Sequence, residues 1–288
     1  MAQIREIKNR IVSVKKTQQI TRAMKMIAGV KFRKADTYLK AIRPYAEMMN
    51  TVALSVAKRN RGTKNEFYQK TSATKGQDLL LVISGDRGLC GNYNSSIFRF
   101  VQNKLKQDSA IRDCVFVGTK GKAVLGKNSS TTKASFDNLG PEQELDYFNN
   151  LAKTLMDLYC DYDCVHIVFT RYVNAVTREL EIKQLFPMVM QSDKRKESVI
   201  QVDYLYELDE EEVLKDLLMA YVTSCLRHCL AESAVSEESA RMAAMDSATN
   251  NADDIIRSLI LAYNRVRQAG ITTEIIEISS GAEALANA

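Results

Sequence analysis

The sequence predicts an α/β fold organised around a long antiparallel coiled coil, and three observations predict it. From Leu208 to Ala288 there is no proline and there are only two glycines, Gly270 and Gly281, while apolar residues recur at helical spacing. Residues 1–58 carry a second such pattern. Nine of the twelve glycines lie between Gly62 and Gly140, where short apolar runs alternate with helical stretches. The expected segments are therefore a helix over 1–58, a central α/β domain over 59–207 and a helix over 208–288.

In the first segment, Ile4, Ile7, Ile11 and Val14 form a 3-4-3 seam. The seam blurs at Thr17-Gln18-Gln19 and is read as resuming at Ile20, Met24 and Ile27, which implies a change of phase and a local shift in winding. Pro44 allows a kink. The polar stretch Arg59 to Gln77 reads as a linker. Asp78 to Ser84 is a buried strand by its run Leu79 to Ile83, and Gly85, Gly88 and Gly91 turn it into a helix over Asn94 to Gln107. Val115 to Val117 is a second strand, Thr119 to Lys127 a short helix, and Pro141 to Tyr159 an amphipathic helix. Val165 to Phe169 is a third strand, and Val173 to Phe186 a strand with a turn. Alternation of this kind gives a Rossmann-like domain with a largely parallel sheet.

The last segment opens at Asp209, a residue able to cap free backbone N–H groups, followed by Glu210, Glu211 and Glu212 at the positive end of the helix dipole. As one helix it is about 115 Å long. Its charges, Glu237, Glu238, Arg241, Asp253 and Asp254, exclude a membrane span. A helix of that length needs a partner, and the other end of the chain supplies one. Residues 1–60 hold fourteen Lys/Arg against three Asp/Glu, a net of +11. Residues 208–288 hold six against fourteen, a net of −8. The C-terminal helix exceeds its partner by about 20 residues, so its last part is expected to project alone, with Ile271, Ile275, Ile276 and Ile278 needing cover from another protein.

The chain is 45% hydrophobic and 26% charged, ordinary for a globular protein. Its net charge of +5 is weak ground for a nucleic-acid partner, and none is expected. Ser84 to Gly91 sits where a phosphate cradle would, but it is neither G-x-G-x-x-G nor a P-loop, and it reads as a tight strand-to-helix turn. The six cysteines pair by sequence as Cys90 and Cys114, Cys160 and Cys164, Cys225 and Cys229, with His166 and His228 nearby. Cys225, His228 and Cys229 share one helix face and form a possible zinc set, but buried structural thiols are the preferred reading. Met24, Met26, Met242 and Met245 are assigned chiefly to the helix core. No catalytic constellation is found, and no cofactor or metal is expected.

Three separated motifs on the terminal helices and a fourth in the central domain carry a family resemblance. Ile20 to Arg33 (ITRAMKMIAGVKFR) resembles the N-terminal helix of the gamma subunit of F-type ATP synthases. Ala240 to Ala252 (ARMAAMDSATNNA) and Tyr263 to Glu283 (YNRVRQAGITTEIIEISSGAE) resemble its C-terminal helix. Ser84 to Asn94 (SGDRGLCGNYN) is similar to a loop of its central domain. Lys25 and Gly29 stand where many members carry an acidic residue and alanine.

The resemblance implies a non-catalytic rotor shaft, one copy per complex. It would turn inside a hexamer of alpha and beta subunits, with epsilon and the membrane c-ring as further partners. By motif position, Met24, Lys25 and Arg241 would face the lower part of beta. Arg267, Gln268 and Thr272 would contact the catalytic subunits higher up, and Ile275, Ile276 and Ile278 would lie in the bearing tip. The lack of a thiol-regulated insertion implies a bacterial or mitochondrion-like form, and the lack of a transit peptide favours the bacterial one, peripheral on the cytoplasmic face of the cell membrane. Two other readings remain open on the residues alone. One is a nucleotide-binding enzyme using the Gly85–Gly91 turn, and the other a scaffold that homodimerises through both helices.

Overall fold

The computed structural model describes residues 2–59, 76–121, 131–137, 145–174, 177–188 and 210–286. Two helices dominate: α1 over Ala2–Arg59 and, at the other end of the chain, α4 over Glu210–Ala286, with 77 residues. The expected cap Asp209 and the linker after Arg59 lie outside the described residues. Helix α1 runs unbroken through Pro44. The chain divides into two compact units, 1–28 with 241–288, and 29–240.

Among the described residues, unit 29–240 holds a five-stranded sheet: β1 (Asp78–Ile83), β2 (Ile111–Val117), β3 (Thr131–Phe136), β4 (Cys164–Tyr172) and β5 (Arg178–Phe186). The order is β3-β2-β1-β4-β5. All pairs are parallel except β4 with β5. β1 is central, and Leu79 to Ile83 are fully buried on both faces, as a parallel strand covered by helices must be. One face takes α2 (Tyr93–Gln107) through Tyr93, Ile97 and Val101. The other takes α3 (Leu145–Tyr159) through Phe148, Leu151 and Leu155, together with Ala53 and Val56 of α1 and Leu214, Leu218 and Leu226 of α4. The Rossmann-like layering is thus present.

Several expected boundaries move. The Thr119 helix is described only as far as Gly121, and the Pro141 start of α3 lies outside the described residues. β2 begins four residues earlier than expected, because its polar Asp113 is buried as the acceptor of the Tyr162 hydroxyl. β4 runs on to Tyr172 because it pairs with β5 along its whole end. β3 is an addition. Its sequence, TTKASF, has no apolar run, since an edge strand buries only alternate side chains.

In unit 1–28 with 241–288 the two helices run antiparallel. Gln18 donates to Asp253 at 2.8 Å, the Thr21 and Thr249 hydroxyls meet at 2.9 Å, and Lys25 reaches Asp246 at 2.6 Å. The expected phase change is overturned here. The less exposed positions of α1 up to residue 28 are 4, 7, 11, 14, 18, 21, 24, 25 and 28, which continues the heptad spacing and keeps Met24 of the expected seam, whereas Ile20 is 60% exposed and Ile27 lies open as well. Polar residues occupy the seam at Gln18, Thr21 and Lys25, and that substitution mimics a slip. Met26 likewise faces outward rather than into the core. On α4 the matching positions are 242, 245, 249, 252, 256, 259, 263, 266 and 270.

Candidate functional site

The Ser84–Gly91 turn is built for packing. Ser84 is fully buried; its hydroxyl donates to the Val117 carbonyl at 3.1 Å and accepts the Gly121 N–H at 3.0 Å. A Cβ at Gly118, where φ is +101°, would lie 2.2 Å from the Ser84 carbonyl oxygen, so only glycine lets the ends of β1 and β2 approach. The Gly85 N–H donates to Asn94 Oδ1 at 3.0 Å, and the Thr119 N–H to Asp86 at 2.7 Å. A Cβ on Gly85 would stand 2.9 Å from the carboxylate of Glu237 on α4. A carboxylate of the chain itself therefore sits where a phosphate would have to enter, and like charges repel. The same anion, after burial, raises Tyr93 above its usual range.

Between α1, α4, β4 and β5 lies a cavity of about 830 Å³. Buried Glu232 ties its walls, accepting the Tyr172 N–H at 2.7 Å and Arg43 at 2.8 Å, with His228 at 3.5 Å. The Cys225 thiol is held down at about 6 by its hydrogen bond with Cys229 and by the Lys183 charge. Burial lowers His228. Among the described residues, the only three that bring metal-ligating atoms within 4.8 Å of one another are Asp78, Cys164 and His166, not Cys225, His228 and Cys229.

The residues expected to meet partners fall into three groups. Lys25 is taken up in the seam with Asp246, and Met24 beside it is half-buried. Arg241 is buried. Arg267, Gln268 and Thr272 are exposed, as are Ile275, Ile276 and Ile278, the last of these 73% open. The side chain nearest a Cβ on Gly270 is Ile4, at 3.9 Å, close to the start of α1. Beyond it every side chain from Ile271 to Ala282 is exposed, and α4 continues for about 24 Å as a single helix.

A further outward set escaped the sequence reading: Ile20, Met26 and Ile27 on α1, with Ile255, Ile260 and Leu261 on α4. On α1 their signal was present in the sequence, since Ile20, Met26 and Ile27 fall out of phase with Ile4, Ile7, Ile11 and Val14. Exposed apolar residues on both helices, and a single-helix end with four open isoleucines, suit contact with another protein.

Comparison with known proteins decides which object it is. The family model described as ATP synthase matches residues 3–285. The ATP synthase gamma chain of Verminephrobacter eiseniae (strain EF01-2) is 38% identical over 291 residues, covering 99% of each chain. The chain belongs to the ATP synthase gamma-chain family. A solved chain from the central stalk/c-ring of Tetrahymena thermophila mitochondrial ATP synthase is 25% identical, with a TM-score of 0.61. It covers 80% of this chain and 99% of its own. A chain from the Euglena gracilis mitochondrial ATP synthase, OSCP/F1/c-ring, shares the fold at a TM-score of 0.70 and 19% identity, covering 99% of this chain and 95% of its own. The gamma-chain motifs at Ile20–Arg33, Ala240–Ala252 and Tyr263–Glu283 all fall on α1 and α4, and the fourth falls on the β1–α2 turn. No helix among the described residues is long and apolar enough to cross a membrane.

Proposed function

We infer that this gamma chain is the central-stalk rotor of an F-type ATP synthase. It carries torque between a proton-driven c-ring and the alpha/beta hexamer, and is not itself catalytic. The observation that carries this reading is the exposed single-helix end of α4 from Ile271 to Ala282, with Ile271, Ile275, Ile276 and Ile278 open to solvent. Exposed isoleucines grouped on such an end suit cover by another protein. The contact set of this end is Ile275, Ile276 and Ile278, interleaved with the exposed carboxylates of Glu274 and Glu277.

Below it, Arg267, Gln268 and Thr272 present polar groups that can engage one catalytic subunit at a time. Of the lower contact set, Met24 and Lys25 keep part of their surface open to a partner, whereas Arg241 is buried. Lys25 acts there mainly by holding Asp246, so the register of the two helices is fixed where load is transferred. A two-stranded coil resists twist better than one helix, and polar seam layers specify its register. The sheet domain serves as the foot, with epsilon and the c-ring as its partners. The basic face of α1 suits an acidic surface on the stator. The complex places the chain, as a peripheral subunit, at the cytoplasmic face of a bacterial membrane.

The test is to mix the purified chain with alpha and beta subunits of a bacterial ATP synthase and measure ATP hydrolysis. Sustained multisite hydrolysis only in the mixture, and reduced hydrolysis when residues after Gly270 are removed, is the expected result. Hydrolysis by the chain alone would contradict the reading.

A further inference from the structure

The sequence drew attention to Cys160, Cys164 and His166, and the rotor reading uses none of them. The sheet gives two of them a third companion. Asp78 opens β1 and pairs in register with Cys164, which opens β4. His166 lies two residues along β4, so the three side chains stand on the same face of adjacent parallel strands. Their ligand atoms lie within 4.8 Å of one another, and all three residues are partly buried.

We propose that Asp78, Cys164 and His166 bind one divalent cation of the zinc class. Carboxylate oxygen, thiolate and imidazole are the donors that such an ion takes, and three protein ligands leave a fourth position for water. The His166 Nε2 to Asp78 Oδ2 separation is 3.4 Å. That is long for a charge-assisted hydrogen bond, which would close to about 2.7–2.9 Å. It matches the O-to-N edge of a tetrahedral zinc shell, about 3.3 Å for bonds of about 2.0–2.1 Å.

The backbone around the three is also fixed. Asp163, next to Cys164, accepts the Gly76 N–H at 2.6 Å and donates its own N–H to the Gln77 carbonyl at 2.7 Å. The entries to β1 and β4 are thus held side by side before any ion binds. On binding, the Cys164 thiol releases its proton to solvent and the thiolate takes the metal. The ion would clamp the entries of the two strands. This inference concerns the sheet alone and does not depend on the rotor reading.

The experiment uses the full chain, stripped with a chelator and titrated with zinc chloride against a chromophoric competitor. One zinc per chain is expected in the wild type and in the Cys225→Ser/Cys229→Ser double variant. In Cys164→Ser and in His166→Gln, affinity should fall by more than the roughly 10–100-fold typical of outer-shell changes. Cobalt replaces zinc as a second readout, with a thiolate-to-cobalt charge-transfer band that persists in Cys160→Ser and in the double variant. If Cys164→Ser does not fold, the band in those two variants decides. Absence of stoichiometric zinc would overturn the proposal. So would binding that is lost in the Cys225→Ser/Cys229→Ser variant, or a cobalt spectrum without a thiolate band.

Discussion

One helix, α4, is two different objects along its length. From Tyr221 to Leu226 every residue is buried, and the helix is part of the domain core. From Ile271 to Ala282 every residue is exposed, although isoleucine recurs there as densely as leucine does earlier. The difference lies in the neighbours and not in the residue types. The first stretch is surrounded by α1, α3 and the sheet of its own chain. The second lies past the start of α1, and has no such cover. Apolar content alone thus separates a core from a contact surface poorly, whereas the length of the partner helix separates them well.

The largest effect that could break this comparison is a core truncation. Leu226→Ala, at a fully buried position, should destabilise the chain by about 2–5 kcal/mol in urea unfolding. Ile276→Ala, at an exposed one, should change stability by no more than about 0.5 kcal/mol while lowering hydrolysis in the reconstituted complex. Equal stability losses at the two sites would end the distinction.

A smaller effect concerns how α4 docks on the β1–α2 turn. Gly85→Ala pushes a methyl against the Glu237 carboxylate, and should cost about 1 kcal/mol because that side chain can shift. Combining it with Glu237→Ala should recover part of the loss in a double-mutant cycle. A fully additive pair would mean that the contact is not what makes glycine necessary.

The seam of unit 1–28 with 241–288 sharpens the comparison further. Lys25→Ala should cost only about 0–1 kcal/mol, because both Lys25 and Asp246 are well exposed. Its larger consequence is expected in the register, read as altered cross-linking between cysteines introduced at Gln18 and Asp253.

A further test is pH dependence. The folded Cys225 thiol lies at about 6, below its ordinary value of 9.0. Between those values the native state binds fewer protons than the unfolded chain. The stabilisation is complete above the ordinary value and lost as pH falls through about 6. Cys229 is raised instead, by its hydrogen bond with Cys225 and by burial, and acts oppositely only above its ordinary value. Urea unfolding should show stability rising with pH across this window, with a flatter slope in Cys225→Ser.

Much of the fold was legible because its signals are local. The run Leu79–Ile83, the glycines of the turn and the 3-4 spacing of Ile4 to Val14 each announce an element. β3 was not legible, because an edge strand of Thr, Lys and Ser owes its shape to Asp113–Val117 beside it. The seam past Val14 was misread because Gln18, Thr21 and Lys25 look like surface residues until Asp253, Thr249 and Asp246 are set opposite them. The exposed end was legible from helix lengths. The grouping of Asp78 with Cys164 was not, since 86 positions separate residues that only the β1–β4 register brings together.

The most direct measurement is rotation itself. The alpha/beta assembly containing this chain is fixed to a surface, and a bead is attached to the chain through a cysteine introduced in the sheet domain. ATP should drive steady turning in one direction, and removal of residues after Gly270 should reduce its torque. ATP hydrolysis by the same assembly with a stationary bead would contradict the rotor account.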